Sequence, residues 1–98
     1  MPRNRLAQIR EMIRLRQYDL SAHAAEEMAE DNLDIPDLEQ AILNGRLARV
    51  EKDDPRGTKY VVEGIAVDQI TPVGVVGRFT GAERYLIITI YEITDVER

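Results

Sequence analysis

The chain has 98 residues, of which 44% are hydrophobic and 32% charged, so it can form one folded domain but not two independent cores. It contains no cysteine, which excludes disulfides, thiol catalysis and thiolate metal sites. No apolar run approaches the roughly 20 residues that a membrane helix needs, and the N-terminus lacks the apolar segment of a signal peptide. We therefore expect a cytoplasmic protein without membrane contact, and its net charge of −5 argues against RNA binding by bulk electrostatics.

Residues 3–16 are predicted to form a first helix, because apolar residues recur there at helical spacing. Its apolar stripe consists of Leu6, Ile9 and Ile13. Residues 1–18 carry five arginines against one acid, whereas residues 19–54 carry eleven acids. The arginines could contact nucleic acid, pair with acids of the same domain, or pair with acids of a second chain. We predict a homodimer or a tight complex with a protein partner, held partly by residues 3–16.

Residues 20–31 are predicted to form a second helix, which contains the single histidine of the chain. Ser21 is a suitable N-cap, because its hydroxyl can accept a hydrogen bond from a backbone N–H one turn further on. Ala24 and Met28 fall on one face for burial. His23 lies in the first turn, where the helix dipole favours a neutral imidazole.

A third helix is predicted to begin after an Asp34 cap, with Pro36 in its first turn, and to end at Asn44. Gly45 is expected to end it in the left-handed conformation. Its predicted buried face consists of Leu38, Ala41 and Ile42.

Strands are predicted for the second half of the chain, over residues 46–52, 59–64, 74–79 and 85–91. A turn occupies residues 53–57, and an irregular segment interrupted by Pro72 occupies residues 65–72. The last strand is apolar on both faces and is therefore predicted to be central. Its alternation places Leu86, Ile88 and Ile90 on one face and Tyr85, Ile87, Thr89 and Tyr91 on the other.

Helices followed by strands with short turns predict an α+β domain, in which the N-terminal helices pack on one face of a four-stranded antiparallel β-meander. The domain spans residues 1–98, divided into a basic N-terminal helix (1–17), two helices (18–45) and the sheet (46–95). The second face of the sheet should need a partner or the first helix to cover it. The predicted core is Ile9, Ile13, Ala24, Met28, Leu38, Ile42, Val61 or Val62, Val75 or Val76, Leu86, Ile88 and Ile90.

Four short motifs resemble one prokaryotic family of small domains. They are Ser21-x-His23-Ala24 followed by Met28, Ile35-x-x-Leu38-x-x-Ala41-Ile42-x-x-Gly45, Asp53-Asp54-Pro55-x-Gly57-x-x-Tyr60, and Ile88-Thr89-Ile90-Tyr91-Glu92. Over residues 18–95 the chain is similar to the domain-of-unknown-function family DUF4258, which is grouped with the RelE-like toxins of the BECR fold. That resemblance implies the α+β fold of mRNA-cleaving toxins and their inactive relatives. The family commonly carries arginine where this chain has Glu27 and Asp31, which reverses the charge that a phosphate would meet.

Metal-independent RNA cleavage needs a base for the 2′-hydroxyl, an acid for the leaving oxygen and cations around the phosphorane. The catalytic candidates are His23, Tyr91, Tyr60 and Arg78, and the RNA-binding candidates are Arg56, Lys59 and Arg84. The alternative for His23 is a ring that locks the start of its helix, and for Tyr91 an aromatic at the edge of the core. No cofactor and no metal are expected, because His23 and Glu27 alone offer too few nitrogen or sulfur ligands.

The resemblance implies a RelE-like domain, and the reversed charges at Glu27 and Asp31 lead us to expect weak or no RNA cleavage. Two alternatives stay open, a non-catalytic protein-interaction module or dimer and an active metal-independent mRNA endoribonuclease toxin. A protein partner such as an antitoxin fits each of them. Convergence of His23, Tyr91 and the basic residues in one cleft would favour the nuclease.

Overall fold

The computed structural model describes residues 4–81 and 83–94, which form helices and a single sheet. The helices are α1 (Arg5–Arg14), α2 (Ala22–Glu30) and α3 (Ile35–Asn44). The strands are β1 (Tyr18–Leu20), β2 (Arg46–Glu51), β3 (Lys59–Ile65), β4 (Pro72–Thr80) and β5 (Arg84–Glu92). They lie in the order β1-β5-β4-β3-β2. The predicted α+β class is confirmed.

The prediction of a four-stranded, purely antiparallel sheet is wrong. β2 to β5 do pair antiparallel in chain order, but β1 adds a fifth strand, which runs parallel to β5. No strand was predicted over these residues, because three residues carry no periodic signal of their own. Long-range bonds hold it: the Tyr85 N–H donates to the Gln17 carbonyl at 3.1 Å, and the Ser21 N–H donates to the Ile87 carbonyl at 2.9 Å. With β1 at the edge, β5 is interior, as predicted.

Side chains begin the helices as the sequence predicts. The Ser21 hydroxyl accepts from the Ala24 N–H at 3.0 Å. Asp34 and Asp37 form a reciprocal capping box at the start of α3, in which each carboxylate accepts from the other residue's N–H. These caps satisfy backbone donors that the helices cannot pair internally.

Gly45 does not take the predicted left-handed conformation. Its φ of −85° and ψ of −174° are extended. A Cβ at this position would lie 2.5 Å from the Ala41 carbonyl oxygen and 2.6 Å from that of Glu63. Glycine is required here because the end of α3 approaches β3 too closely for any side chain.

The helices cover one face of the sheet, and their apolar residues share one core with it. The fully buried part of that core includes Ile9, Leu38, Ala41, Ile42, Val62, Val73, Val75, Tyr85, Ile87 and Ile90. Of the pair Val75 or Val76, Val75 is the buried residue, and the predicted core positions Leu86 and Ile88 are only partly buried. The remaining predicted core positions are confirmed as buried.

A β-bulge explains the error in β5. Val76 pairs with Thr89 but the next residue, Gly77, pairs with Ile87, so Ile88 is an extra residue without a partner on β4. The extra residue shifts the alternation by one position. Tyr85, Ile87 and Ile90 therefore face the helices, and the predicted Leu86-Ile88-Ile90 face does not exist.

α1 packs on its own domain. Ile9 is 0% and Ile13 2% exposed, in contact with the common core. The Arg10 guanidinium donates to the Gly45 carbonyl at 2.7 Å, at the C-terminal end of α3, where a cation also complements the helix dipole. Ile9 and Ile13 of the apolar stripe are thus buried within the chain. Within residues 4–81 and 83–94, no helix is long and apolar enough to cross a membrane.

Candidate functional site

The face of the sheet opposite the helices, here called the open face, carries most of the charged residues of β2 to β5. Strand pairing aligns two rows across it: Arg46, Glu63, Gly74 and Tyr91, and then Arg49, Val61, Val76 and Thr89. A third row brings together Glu51, Lys59, Arg78 and Leu86, because Glu51 pairs with Lys59, Arg78 pairs with Leu86, and the Tyr60–Gly77 pair sets Lys59 beside Arg78. Most residues that alternate with them belong to the core.

The carboxylates of these rows are already neutralised by basic neighbours. Glu51 lies 3.0 Å from the Arg49 Nε and 3.8 Å from the Lys59 Nζ. Glu63 lies 3.2 Å from an Arg46 nitrogen. The open face therefore has more cations than anions, although the whole chain is acidic.

Arg84, a predicted RNA-binding residue, is engaged by β1. Its guanidinium contacts both carboxylate oxygens of Asp19, at 2.9 and 3.0 Å, and donates to the Tyr18 carbonyl at 3.1 Å. This bond lowers the pKa of the Asp19 carboxyl below its ordinary value. The bidentate geometry ties β1 to β5, which makes Arg84 a structural clamp.

Arg78 is the exception among the cations of the open face. It is partly buried, and within the described residues its guanidinium has no hydrogen bond and no ion pair. Lys59 lies beside it on β3 and Leu86 opposite it on β5. The charge of Arg78 is therefore not balanced by any described carboxylate of the open face. An external anion would satisfy it.

Tyr91 lies on the same face but at the other end of it. A Cβ on Gly74 would lie 2.6 Å from the Tyr91 hydroxyl oxygen, so the phenol end of the ring covers that glycine. Arg49 is nearby, and its pKa is raised first by Glu51 and to a lesser degree by Tyr91. Four residues of β4 separate Gly74 from Arg78, which corresponds to roughly 13 Å along the strand.

Two other predicted site residues lie elsewhere. Tyr60 is 7% exposed in the core, where its ring packs edge-to-face on Phe79 with 5.7 Å between centroids. Arg56 lies in the β2–β3 turn, where its Nε is 3.3 Å from Asp54. A groove of about 690 Å³ at this turn is lined by Glu51, Asp53, Asp54, Pro55, Arg56 and Lys59. Glu51 and Asp54 have basic neighbours in it. The described residues contain no group of three or more side chains that could hold a metal ion.

His23 is exposed on α2, and its Nε2 lies 3.1 Å from Glu27. The other Glu27 oxygen accepts from the Ile90 N–H at 3.1 Å. One helical turn on, Asp31 accepts from the Glu92 N–H at 3.2 Å. These two acids thus cover the part of the β5 edge that lies beyond β1, so their carboxylates have a structural role. Glu27 and Asp31 are four helical residues apart, a rise of about 6 Å, which nearly matches the rise of the two strand residues from Ile90 to Glu92. This spacing of the two acids is the feature of the sequence that could have indicated their role.

The structure therefore brings Lys59, Arg78 and Tyr91 to one face and leaves His23, Tyr60 and Arg56 apart from them. The fold and this surface define an α+β domain with a locally basic open sheet face. The sequence profile of the family described as Domain of unknown function (DUF4258) matches residues 20–92, and the chain belongs to this family. No curated protein and no solved structure matches the chain.

Proposed function

We propose that this protein is a RelE-like domain whose open face binds the phosphate backbone of single-stranded RNA, with weak or no cleavage. The observation that carries the proposal is Arg78, a partly buried residue whose guanidinium has no anionic partner among the described residues. Because the family resembles RNA-cleaving toxins, we take RNA as the molecule that carries the phosphate.

A phosphate is the anion that this position fits best. The planar guanidinium of Arg78 can donate two parallel hydrogen bonds to phosphate oxygens, and Lys59 beside it adds a point charge. Because Glu51 and Glu63 are ion-paired, they repel an incoming phosphate less than free carboxylates would. The local cations thus offset the net charge of −5.

The same geometry supports weak or absent cleavage. The only histidine of the chain is on α2 and contacts Glu27. The backbones of Tyr91 and Arg78 are separated by roughly 13 Å along the sheet, and no described hydrogen bond joins their side chains. The described carboxylates of the face, Glu51 and Glu63, are held in ion pairs, which favours binding of a phosphate over acid–base chemistry on it.

A second candidate is a non-catalytic protein interaction, for instance with an antitoxin. Val76 and Leu86 flank Arg78 on the open face and are partly exposed. An acidic partner segment with apolar side chains would match this combination of an arginine and apolar neighbours.

Fluorescence anisotropy with a labelled single-stranded RNA tests the proposal. Arg78→Gln should weaken binding by about tenfold, the equivalent of one charge-assisted bond pair, and should reduce the salt slope by about one. Arg14→Gln is the matched control, because Arg14 is an exposed arginine on α1, and it should change neither quantity. Equal losses of RNA affinity in both variants would mean that RNA binds through non-specific charge and not at Arg78.

Expression of the chain alone in bacteria tests the catalytic part. We expect normal growth and intact mRNA. Growth arrest with cleaved transcripts that His23→Ala or Tyr91→Phe abolishes would instead establish an active endoribonuclease toxin. Absence of RNA binding, together with Arg78-dependent binding of an acidic peptide, would favour the protein-interaction candidate.

A further inference from the structure

The two edges of the sheet differ in how far their backbone hydrogen-bonding groups are covered. At one edge, β1 has only three residues. Where β5 continues past the end of β1, carboxylates of α2 accept hydrogen bonds from the N–H groups of β5. At the other edge, β2 has six residues, and within the described part of the chain no element pairs with its outer side. Long unpaired edge strands readily pair with another strand. Val50 of β2 is 42% exposed, which leaves an apolar side chain at this edge.

The sequence of β2 is complementary to itself when two copies run antiparallel. A two-fold axis between Ala48 and Arg49 sets Arg46 opposite Glu51 and Leu47 opposite Val50. The charged pair would be attractive on both sides of the axis, in addition to the ion pairs that Arg46 and Glu51 make within each chain. The second pair is apolar, and the central pair is Ala48 with Arg49.

Because of a bulge in β2, the two residues of each proposed pair lie on the same face of the sheet. Register shifts between Leu47 and Arg49, so Ala48 is the extra residue. As a result Arg46 and Glu51 both lie on the open face, opposite Glu63 and Lys59, while Leu47 and Val50 both lie on the helix side. Antiparallel pairing requires opposite residues to share a face, and both proposed pairs satisfy that requirement.

We propose that the β2 strands of two copies pair antiparallel about a two-fold axis perpendicular to the sheet, which makes one continuous sheet across a homodimer. This interface differs from one built on the first helix, and it does not depend on RNA binding. Because the axis is perpendicular to the sheet, the two open faces lie side by side on the same side of the dimer. Six residues per strand make a small contact, so the association should be a concentration-dependent equilibrium.

Sedimentation equilibrium on the full chain tests the dimer. Val50→Lys should shift the protein to monomer, whereas the matched control Val67→Lys, at a valine that is 50% exposed in the β3–β4 loop, should leave association unchanged. A wild-type chain that stays monomeric up to about 1 mM would overturn the proposal, as would equal effects of the two substitutions.

A charge exchange tests the register. Arg46→Glu alone places like charges opposite each other at both ends of the interface, and Glu51→Arg alone does the same, so each should be monomeric. An equimolar mixture of the two variants restores opposite charges at both ends and should form a heterodimer. A mixture that stays monomeric would refute this register. Isotope-filtered NOEs between Leu47 and Val50 of differently labelled wild-type copies provide a readout without substitutions, and their absence in a dimer would refute it too.

Discussion

The β-bulge in β5 makes a quantitative prediction about two isoleucines that are two residues apart. Ile90 is 0% exposed and pairs with Val75 in the core, whereas Ile88 is the partly exposed extra residue of the bulge. Ile90→Ala removes three buried carbons, worth about 2.4 kcal/mol at about 0.8 kcal/mol per methylene, and it also leaves a cavity. We expect a loss of about 3–4 kcal/mol for Ile90→Ala and about 1 kcal/mol for Ile88→Ala.

Chemical denaturation followed by circular dichroism measures both values on the same baseline. In thermal unfolding, the Ile90 variant should melt more than about 12 °C below wild type and the Ile88 variant about 4–8 °C below. The two variants remove the same atoms, so helix or strand propensity cannot separate them. Equal losses, or a larger loss at Ile88, would mean that the strand alternates without a bulge and that the assignment of the two faces is wrong.

Three further predictions concern single bonds. Glu27→Ala should cost about 1–2 kcal/mol in urea unfolding, because it exposes an unpaired strand-edge N–H, whose hydrogen exchange should quicken. Tyr85→Phe should leave the free energy of unfolding unchanged or raise it by about 1 kcal/mol, because the buried Tyr85 hydroxyl has no partner among the described residues. Tyr18→Phe loses a 2.6 Å hydrogen bond to Glu39 and should lower the free energy of unfolding by about 1–2 kcal/mol. The lowered pKa of Asp19 means that its contribution to stability is present above the unfolded-state pKa of about 3.9 and is lost as pH falls through the folded-state pKa; Arg84→Gln should raise the Asp19 pKa in an NMR titration toward that value.

Local signals predicted the helices and most of the sheet. Asn4, Ser21 and Asp34 cap helices because a short polar side chain before an apolar periodic run satisfies free N–H groups, and Ser21 and Asp34 were predicted from that pattern alone. The apolar run of β5 predicted an interior strand, which the sheet order confirms. These features depend on neighbouring residues, so a single sequence contains them.

The errors all concern contacts between distant residues. β1 exists because Arg84 and the backbone of β5 hold residues 18–20, and nothing in Tyr-Asp-Leu itself announces a strand. The bulge at Ile88 depends on how β4 pairs across from it. The extended conformation of Gly45 depends on the approach of β3. Partners of this kind lie between 10 residues apart (Gly77 and Ile87) and 67 residues apart (Tyr18 and Tyr85), and they leave no local periodicity.

The candidate site was predicted in part for the same reason. Residue type alone identified Arg78, Lys59 and Tyr91, which do share the open face. Residue type alone also selected Tyr60, but the alternation of β3 places its side chain in the core. Selecting among basic residues required knowing which of them already have a carboxylate partner, and only the fold provides that information.

An NMR titration of the Arg78 side chain with a short single-stranded RNA tests the central claim most directly. The Nε–H signal of Arg78 should shift in a saturable way, together with the backbone amides of Val76 and Thr89 on the same face, while the amides of α1 stay unchanged. Shifts confined to α1, or an Arg78 signal that does not move while RNA binds, would contradict RNA binding at the open face.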